Sequence, residues 1–325
     1  MSARPDVIGH SGVSDRARGE ADVAGICEGR SVIVTGAGRG LGRAHALAFA
    51  RAGANVIVND IGASLDGHPT AESPGDEVVA EIQAMGGTAQ VNGDDISSWS
   101  GAGNLVAQCV ETFGGLDVIV NNAGFLRDRM LASVSEEEWD AVIAVHLKGH
   151  MATARHAIEF WRSQSKAGAE VSGRVINTSS GAGLLGSVGQ GNYSAAKAAI
   201  VGLTLVQSAE WGRYGVTANA IAPAARTRMT ETVFADMMAE VDGESFDAMA
   251  PDNVSPLLVY LGSVYSGAVT GRVFEVEGGK ISLMDGWRPG ATVDKGARWE
   301  PEELNAAVGQ LIAEAPSPLP VYGAS

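Results

Sequence analysis

Ser31-Val-Ile-Val-Thr-Gly-Ala-Gly-Arg-Gly-Leu-Gly42 decides the fold of this chain. Val32, Ile33, Val34 and Thr35 are consecutive β-branched residues, which favours a strand. Glycine follows at 36, 38, 40 and 42, and residues 43–52 then read as a helix. A strand, a glycine turn and a helix in that order present bare backbone N–H groups at a helix start, which is how doubly wound folds open a phosphate site. The spacing Gly36-x-x-x-Gly40-x-Gly42 brings backbone close to a pyrophosphate. The next apolar run, Asn55-Val-Ile-Val-Asn-Asp60, ends in an acid where such folds hold ribose hydroxyls.

The same unit repeats along the chain. Residues 77–85 and 105–113 read as helices, 88–92 as a third strand and 116–121 as a fourth ending in Asn-Asn-Ala-Gly124. One long helical region is expected over 136–161. Further strands fall at 174–178, 216–222 and 272–277, with a helix from Tyr193 to about Arg213. Alternating strands and helices with short turns imply a parallel sheet with right-handed crossovers. The expected fold is therefore α/β: a three-layer Rossmann-type, doubly wound, seven-stranded parallel sheet. It divides into a polar arm (1–29), one domain (30–282) and a C-terminal extension (283–325).

Composition narrows the function. The chain has 43 glycines in 325 residues, close to twice the usual share of roughly 7%, which suits tight turns and close backbone–ligand approach. The net charge of −15 argues against nucleic acid and anionic membrane surfaces as partners. Two cysteines are too few for a disulfide framework, and the six histidines show no ligand motif, so no metal is expected. No apolar run approaches the roughly 20 residues of a membrane span, and the N-terminus lacks a signal-peptide core. The expectation is a cytoplasmic protein without membrane insertion.

A second stretch carries chemistry: Ser180 follows the fifth strand, and Tyr193-Ser-Ala-Ala-Lys197 opens a helix thirteen residues on. Residues i and i+4 share a helix face, which brings the ammonium within a turn of the phenol. A nearby cation favours phenolate and lowers a pKa near 10, as general acid–base catalysis requires. A hydroxyl at Ser180 could hold a substrate oxygen against the tyrosine.

Thr35-Gly-Ala-Gly-Arg-Gly-Leu-Gly42, Asn121-Asn-Ala-Gly124, Ser180, Tyr193-Ser-Ala-Ala-Lys197 and Pro223 resemble the short-chain dehydrogenase/reductase family, in its order and spacing, over about residues 30–280. The resemblance implies a nicotinamide cofactor and a homodimer or homotetramer. It makes Tyr193 the general acid/base, gives Lys197 the lowering of its pKa and a ribose contact, and has Ser180 orient the substrate oxygen. The cofactor site it implies comprises Gly36, Arg39, Gly40, Leu41, Gly42, Asp60, Asp95, Ile96, Asn122, Ala123, Gly124, Tyr193, Lys197 and Thr227. Val58-Asn-Asp-Ile-Gly62, Asn122-Ala-Gly-Phe-Leu-Arg-Asp-Arg-Met130, His146-Leu-Lys-Gly149 and Arg298-Trp-Glu300 are similar to one branch, the (3R)-hydroxyacyl-CoA dehydrogenase part of the peroxisomal multifunctional β-oxidation enzyme, whose bacterial relatives include enzymes of steroids and steroid side-chain CoA esters.

There are two departures. His146 stands where most of the family has asparagine, so it is either a proton relay or a packed helix histidine. Ala224 replaces the usual glycine after Pro223, which leaves Thr227 as the nearby hydroxyl.

Asp60 would repel a 2′-phosphate, so NAD rather than NADP is expected; Arg39 could serve either. The reaction expected is oxidation of a secondary alcohol to a ketone, with a (3R)-hydroxyacyl-CoA as substrate. A 17β-hydroxysteroid and a non-catalytic NAD-binding protein stand as alternatives. Arg127, Arg129 and Arg228 either pair with CoA phosphates or make surface salt bridges. Residues 230–252 form a candidate lid. Leu304, Val308, Leu311 and Ile312 make one apolar helical stripe, expected to pack on the domain or on a neighbouring subunit.

Overall fold

The computed structural model describes residues 25–62, 73–226 and 246–324. Thr227, Arg228, most of the candidate lid and most of the N-terminal arm lie outside them. One sheet organises the chain, in strand order β3-β2-β1-β4-β5-β6-β7-β8. The strands are β1 (Ser31–Thr35), β2 (Asn55–Asn59), β3 (Thr88–Asn92), β4 (Val118–Asn121), β5 (Gly173–Thr178), β6 (Val216–Ala224), β7 (Val273–Glu277) and β8 (Lys280–Met284). The first seven pair in parallel, as expected. The eighth is a correction: β8 turns back antiparallel on β7, Val273 opposite Met284 and Glu277 opposite Lys280. Gly278, at φ +54, makes that reversal possible.

Strand periodicity explains the layers. Along β1 and β4, Val32, Val34, Val118 and Val120 face one way and Ile33 and Ile119 the other. The first set packs with Leu47 and Phe49 of α1 (Gly40–Arg51), Val78 and Ile82 of α2 (Pro74–Ala84), and Leu258 and Leu261 of the helix Ser255–Gly262. The second packs with Leu105 and Cys109 of α3 (Trp99–Phe113) and Ile158 and Trp161 of α5 (Gly149–Lys166). Every residue of β1, β4 and β5 is buried, as a sheet covered on both faces requires. Each such aliphatic side chain contributes about 1.5–3 kcal/mol on burial.

The expected single helix over 136–161 is interrupted. After α4 (Glu136–Ile143), which Ser135 and Glu138 close with a capping box, Ala144–Lys148 widens into a π-turn before α5 begins. A π-turn inside a helix frequently marks a functional site. His146 lies in it. At the C-terminus the helix Leu304–Glu314 forms as read, but most of its stripe is uncovered: Leu304, Val308 and Ile312 are exposed in the single chain, while Leu311 is half-buried.

Candidate active site

The strand order reverses at β1, with β2 on one side and β4 on the other, so a crevice opens beyond their carboxyl ends. Gly36 and Gly40 line it in left-handed backbone, at φ +63 and +53. A Cβ at Gly36 would lie 2.8 Å from Ala123 Cα, and one at Gly42 would lie 2.0 Å from the Gly36 carbonyl oxygen. Only glycine lets these backbones meet. No side chain caps the start of α1, whose first N–H groups face the crevice end of the turn. Thr35 Oγ1 accepts from the Asn122 and Ala123 amides, and the Asn122 side-chain amide donates to the Thr35 and Gly36 carbonyls. Asn122 thus braces the two walls. At the end of β2, Asp60 accepts from Gly38 N–H and Gly62 N–H, both at 2.8 Å, which holds its carboxylate beside the turn. This arrangement fits a dinucleotide: bare amides and glycines for the pyrophosphate, a fixed acid for a ribose. Of the other expected contacts, Asp95 is exposed and accepts from Ser97, while Ile96 is buried against Gly149.

The catalytic candidates converge two strands away. Ser180 ends the stretch after β5 and caps α6 (Gly181–Leu185), its Oγ accepting from Ala182 N–H at 3.2 Å. Tyr193 and Lys197 share a face of α7 (Gly191–Trp211). Two contacts seat α7 against the sheet end. Ser179 Oγ donates to the Lys197 carbonyl at 2.8 Å, and Gly183 packs so closely that a Cβ there would lie 2.6 Å from Lys197. The Lys197 ammonium is buried, donates to the Thr178 carbonyl at 2.6 Å, and lies 5.5 Å from the centre of the Tyr193 ring.

Electrostatics distribute the tasks differently from the sequence reading. Burial pulls the Lys197 pKa down to about 7. Burial also pushes the Tyr193 phenol above its usual value, the Asp128 charge adds to this, and the hydrogen bond with Ser180 opposes it. Ser180 thus favours the phenolate, and the Lys197 ammonium stands 5.5 Å from the centre of the same ring. Asp128 is a residue that sequence reasoning missed. It accepts from the Gln190 side-chain amide at 3.0 and 3.2 Å, which ties the loop after β4 to the loop before α7. Asn192, also missed, donates to the Arg127 carbonyl and accepts from Tyr193 N–H. No spacing rule marks either residue, because the contacts that tie the two loops, Asp128 to Gln190 and Asn192 to Arg127, join positions more than sixty apart.

His146 stacks edge-on to Tyr193, ring centres 5.2 Å apart. Its Nε2 meets the Phe125 backbone, 2.8 Å from the carbonyl oxygen and 3.1 Å from the amide nitrogen. Burial, then the Lys197 charge, depresses its pKa to about 3, so the ring is neutral across the working range. A Cβ at Gly124 would lie 2.1 Å from His146 Cε1, so the glycine of Asn-Asn-Ala-Gly124 makes room for the imidazole. Of the candidate CoA-binding arginines, Arg129 pairs with Glu138 at 2.6 Å, and Arg127 lies over the Phe125 ring at 5.2 Å.

A buried sheet with a glycine-lined crevice, and a serine, tyrosine and lysine gathered at its edge, is the plan of a nicotinamide-dependent oxidoreductase. The model of the short chain dehydrogenase family matches residues 30–238, and the chain belongs to that family. It is 45% identical, over 88% of its length and 89% of the relative's, to a protein of Mycobacterium tuberculosis named hydroxyacyl-CoA dehydrogenase ChsB1. Mouse peroxisomal multifunctional enzyme type 2 is 43% identical over 79% of this chain, which spans 33% of that longer protein. Among solved structures, a short chain dehydrogenase from Mycobacterium avium superposes with a TM-score of 0.84 at 62% identity, covering 92% of this chain and all of that one.

Proposed function

We propose that this short-chain dehydrogenase oxidises a (3R)-hydroxyacyl-CoA to its 3-oxo ester with NAD. The observation that carries the chemistry is the gathering of Ser180, at the start of α6, with Tyr193 and Lys197 on one face of α7, the ammonium 5.5 Å from the centre of the Tyr193 ring. The ester is supported by the relative named hydroxyacyl-CoA dehydrogenase, which aligns over nearly its whole length. Ser180 holds the substrate hydroxyl, and Tyr193, as phenolate, takes its proton. A bound nicotinamide would supply the acceptor for the hydride that leaves the carbon bearing that hydroxyl. Lys197, buried and anchored on Thr178 beside the Tyr193 ring, would steady the phenolate that takes the proton and would hold the ribose of a bound cofactor. His146, a neutral ring held at Nε2 by the Phe125 backbone and set edge-on to Tyr193, positions the phenol.

Asp60 supports NAD: held by two backbone amides, its carboxylate stands where a 2′-phosphate would bring like charge. The exposed stripe of the C-terminal helix, with Leu205 and Val206 of α7, supports a homodimer or homotetramer. The test is NADH formation with a (3R)-hydroxyacyl-CoA, its (3S) isomer and a 17β-hydroxysteroid. Turnover confined to the (3R) ester is expected. Turnover of the steroid alone would replace the substrate and leave the proton chemistry in place.

A further inference from the structure

The last residues, Ala315-Pro-Ser-Pro-Leu-Pro-Val-Tyr-Gly-Ala324, leave the C-terminal helix and return to the catalytic edge of the sheet. Proline at 316, 318 and 320 fixes three φ angles, so ordering this segment costs less entropy than ordering a free chain. Tyr322 then pairs in parallel with Ser187: its N–H donates to the Gly186 carbonyl at 3.2 Å, and its carbonyl accepts from Val188 N–H at 2.9 Å. This is the loop that joins Ser180 to Tyr193. Gly186, at φ +82, also lets Val321 close on it, a Cβ there lying 3.3 Å from a Val321 methyl.

The Tyr322 side chain points at the site. Its hydroxyl lies 2.9 Å from where a Cβ of Gly181 would be, beside the residue that follows Ser180. Burial, with Glu275 and Glu277 at the end of β7, raises its pKa, so the hydroxyl keeps its proton and remains a donor. Tyr322 as a residue is 40% exposed, so it is open to a ligand. The dinucleotide crevice lies at β1 and β2, on the other side of β4 and β5, so what reaches Tyr322 is the alcohol rather than the cofactor.

We propose that the C-terminal tail forms a wall of the substrate entrance of its own subunit, and that Tyr322 is a specificity-determining residue there. Its ring lies along the carbon skeleton and its hydroxyl donates to a carbonyl oxygen of the alcohol substrate. An acyl thioester carries such an oxygen, and so does an oxosteroid. The proposal rests on the dehydrogenase reading above.

The test compares wild type, Tyr322→Phe, Tyr322→Ala and a chain ending at Pro320, using whichever alcohol of a hydroxyacyl-CoA and hydroxysteroid panel the wild type oxidises. Tyr322→Phe keeps the backbone pairing and the ring, so it reports the hydroxyl alone. Loss of one hydrogen bond predicts a KM about fivefold higher, with kcat and NADH affinity within about twofold of wild type on the same scale and the thermal midpoint unmoved. Tyr322→Ala and the shortened chain should raise KM about tenfold or more and flatten the preference among chain lengths. Values of kcat/KM unchanged in all three variants would overturn the proposal. A fall in kcat with KM unmoved would also overturn it, since that marks a purely structural brace of the loop. A wild type that oxidises no alcohol would overturn the dehydrogenase reading itself, and the two failures are thereby told apart.

Discussion

Asp128 shows how closely the single residue controls the chemistry. Its carboxylate is partly buried, held by Gln190, and its charge opposes ionisation of the Tyr193 phenol. Asp128→Asn removes the like charge and keeps a hydrogen-bonding side chain of the same shape. The limb of the pH profile of kcat/KM that reports deprotonation of Tyr193 should therefore move to lower pH. An unchanged limb would mean that the two groups do not communicate. The sequence announced Tyr193 and Lys197, because an i,i+4 pair is a local pattern. It could not announce Asp128, Asn192 or Tyr322, whose roles come from partners far along the chain. Nor could it say which neighbour tunes the phenol: spacing gives proximity to Lys197, but only the fold shows that burial brings the lysine down to about 7.

At the scale of the element, the seven parallel strands were legible because most are short runs rich in β-branched residues, closed by a polar or glycine turn. The π-turn at Ala144–Lys148 was not legible, since its residues keep an ordinary helical pattern and the widening follows from seating His146 against Gly124 and Tyr193. The antiparallel β8 carried a weaker signal. Gly278-Gly279 suits a hairpin, but Ile281 and Leu283 point outward and resemble the start of an extension. The fit of α6 against α7 rests on Gly183. Gly183→Ala would press a methyl onto Lys197 and should cost about 1–3 kcal/mol of stability, as overpacking does. Urea unfolding checks this, and activity should fall further than stability because Lys197 moves with the helix. A variant with the wild-type midpoint and rate would contradict that packing.

Among the described residues, three histidines are fully buried and neutral, His45, His146 and His150. The pKa values of His45 and His146 fall to about 3, and that of His150 well below its usual 6.5, chiefly through burial. The unfolded chain binds these protons below about 6.5 while the native state does not. Stability therefore falls as pH drops from about 6.5 towards 3, by roughly 2–3 kcal/mol per histidine two pH units below that reference. The thermal midpoint should decline steeply on mild acidification. His45→Gln, which can keep the bond to Ser255 Oγ, should soften the decline. A midpoint level from neutrality to mild acid would show that the histidines titrate in the native state. Catalysis and stability thus draw on the same sheet ends, where glycines allow close approach and buried polar groups are held by backbone.

The rate of NADH formation from a (3R)-hydroxyacyl-CoA, compared between wild type and Tyr193→Phe, tests the central claim most directly. The account predicts steady turnover by the wild type. It predicts a loss of about a hundredfold to ten-thousandfold in the variant, with NADH still bound, because the phenyl ring keeps its packing on His146 and loses only the proton acceptor. A variant within tenfold of wild type on the same scale would contradict it, since the proton would then leave by a route that does not pass through Tyr193.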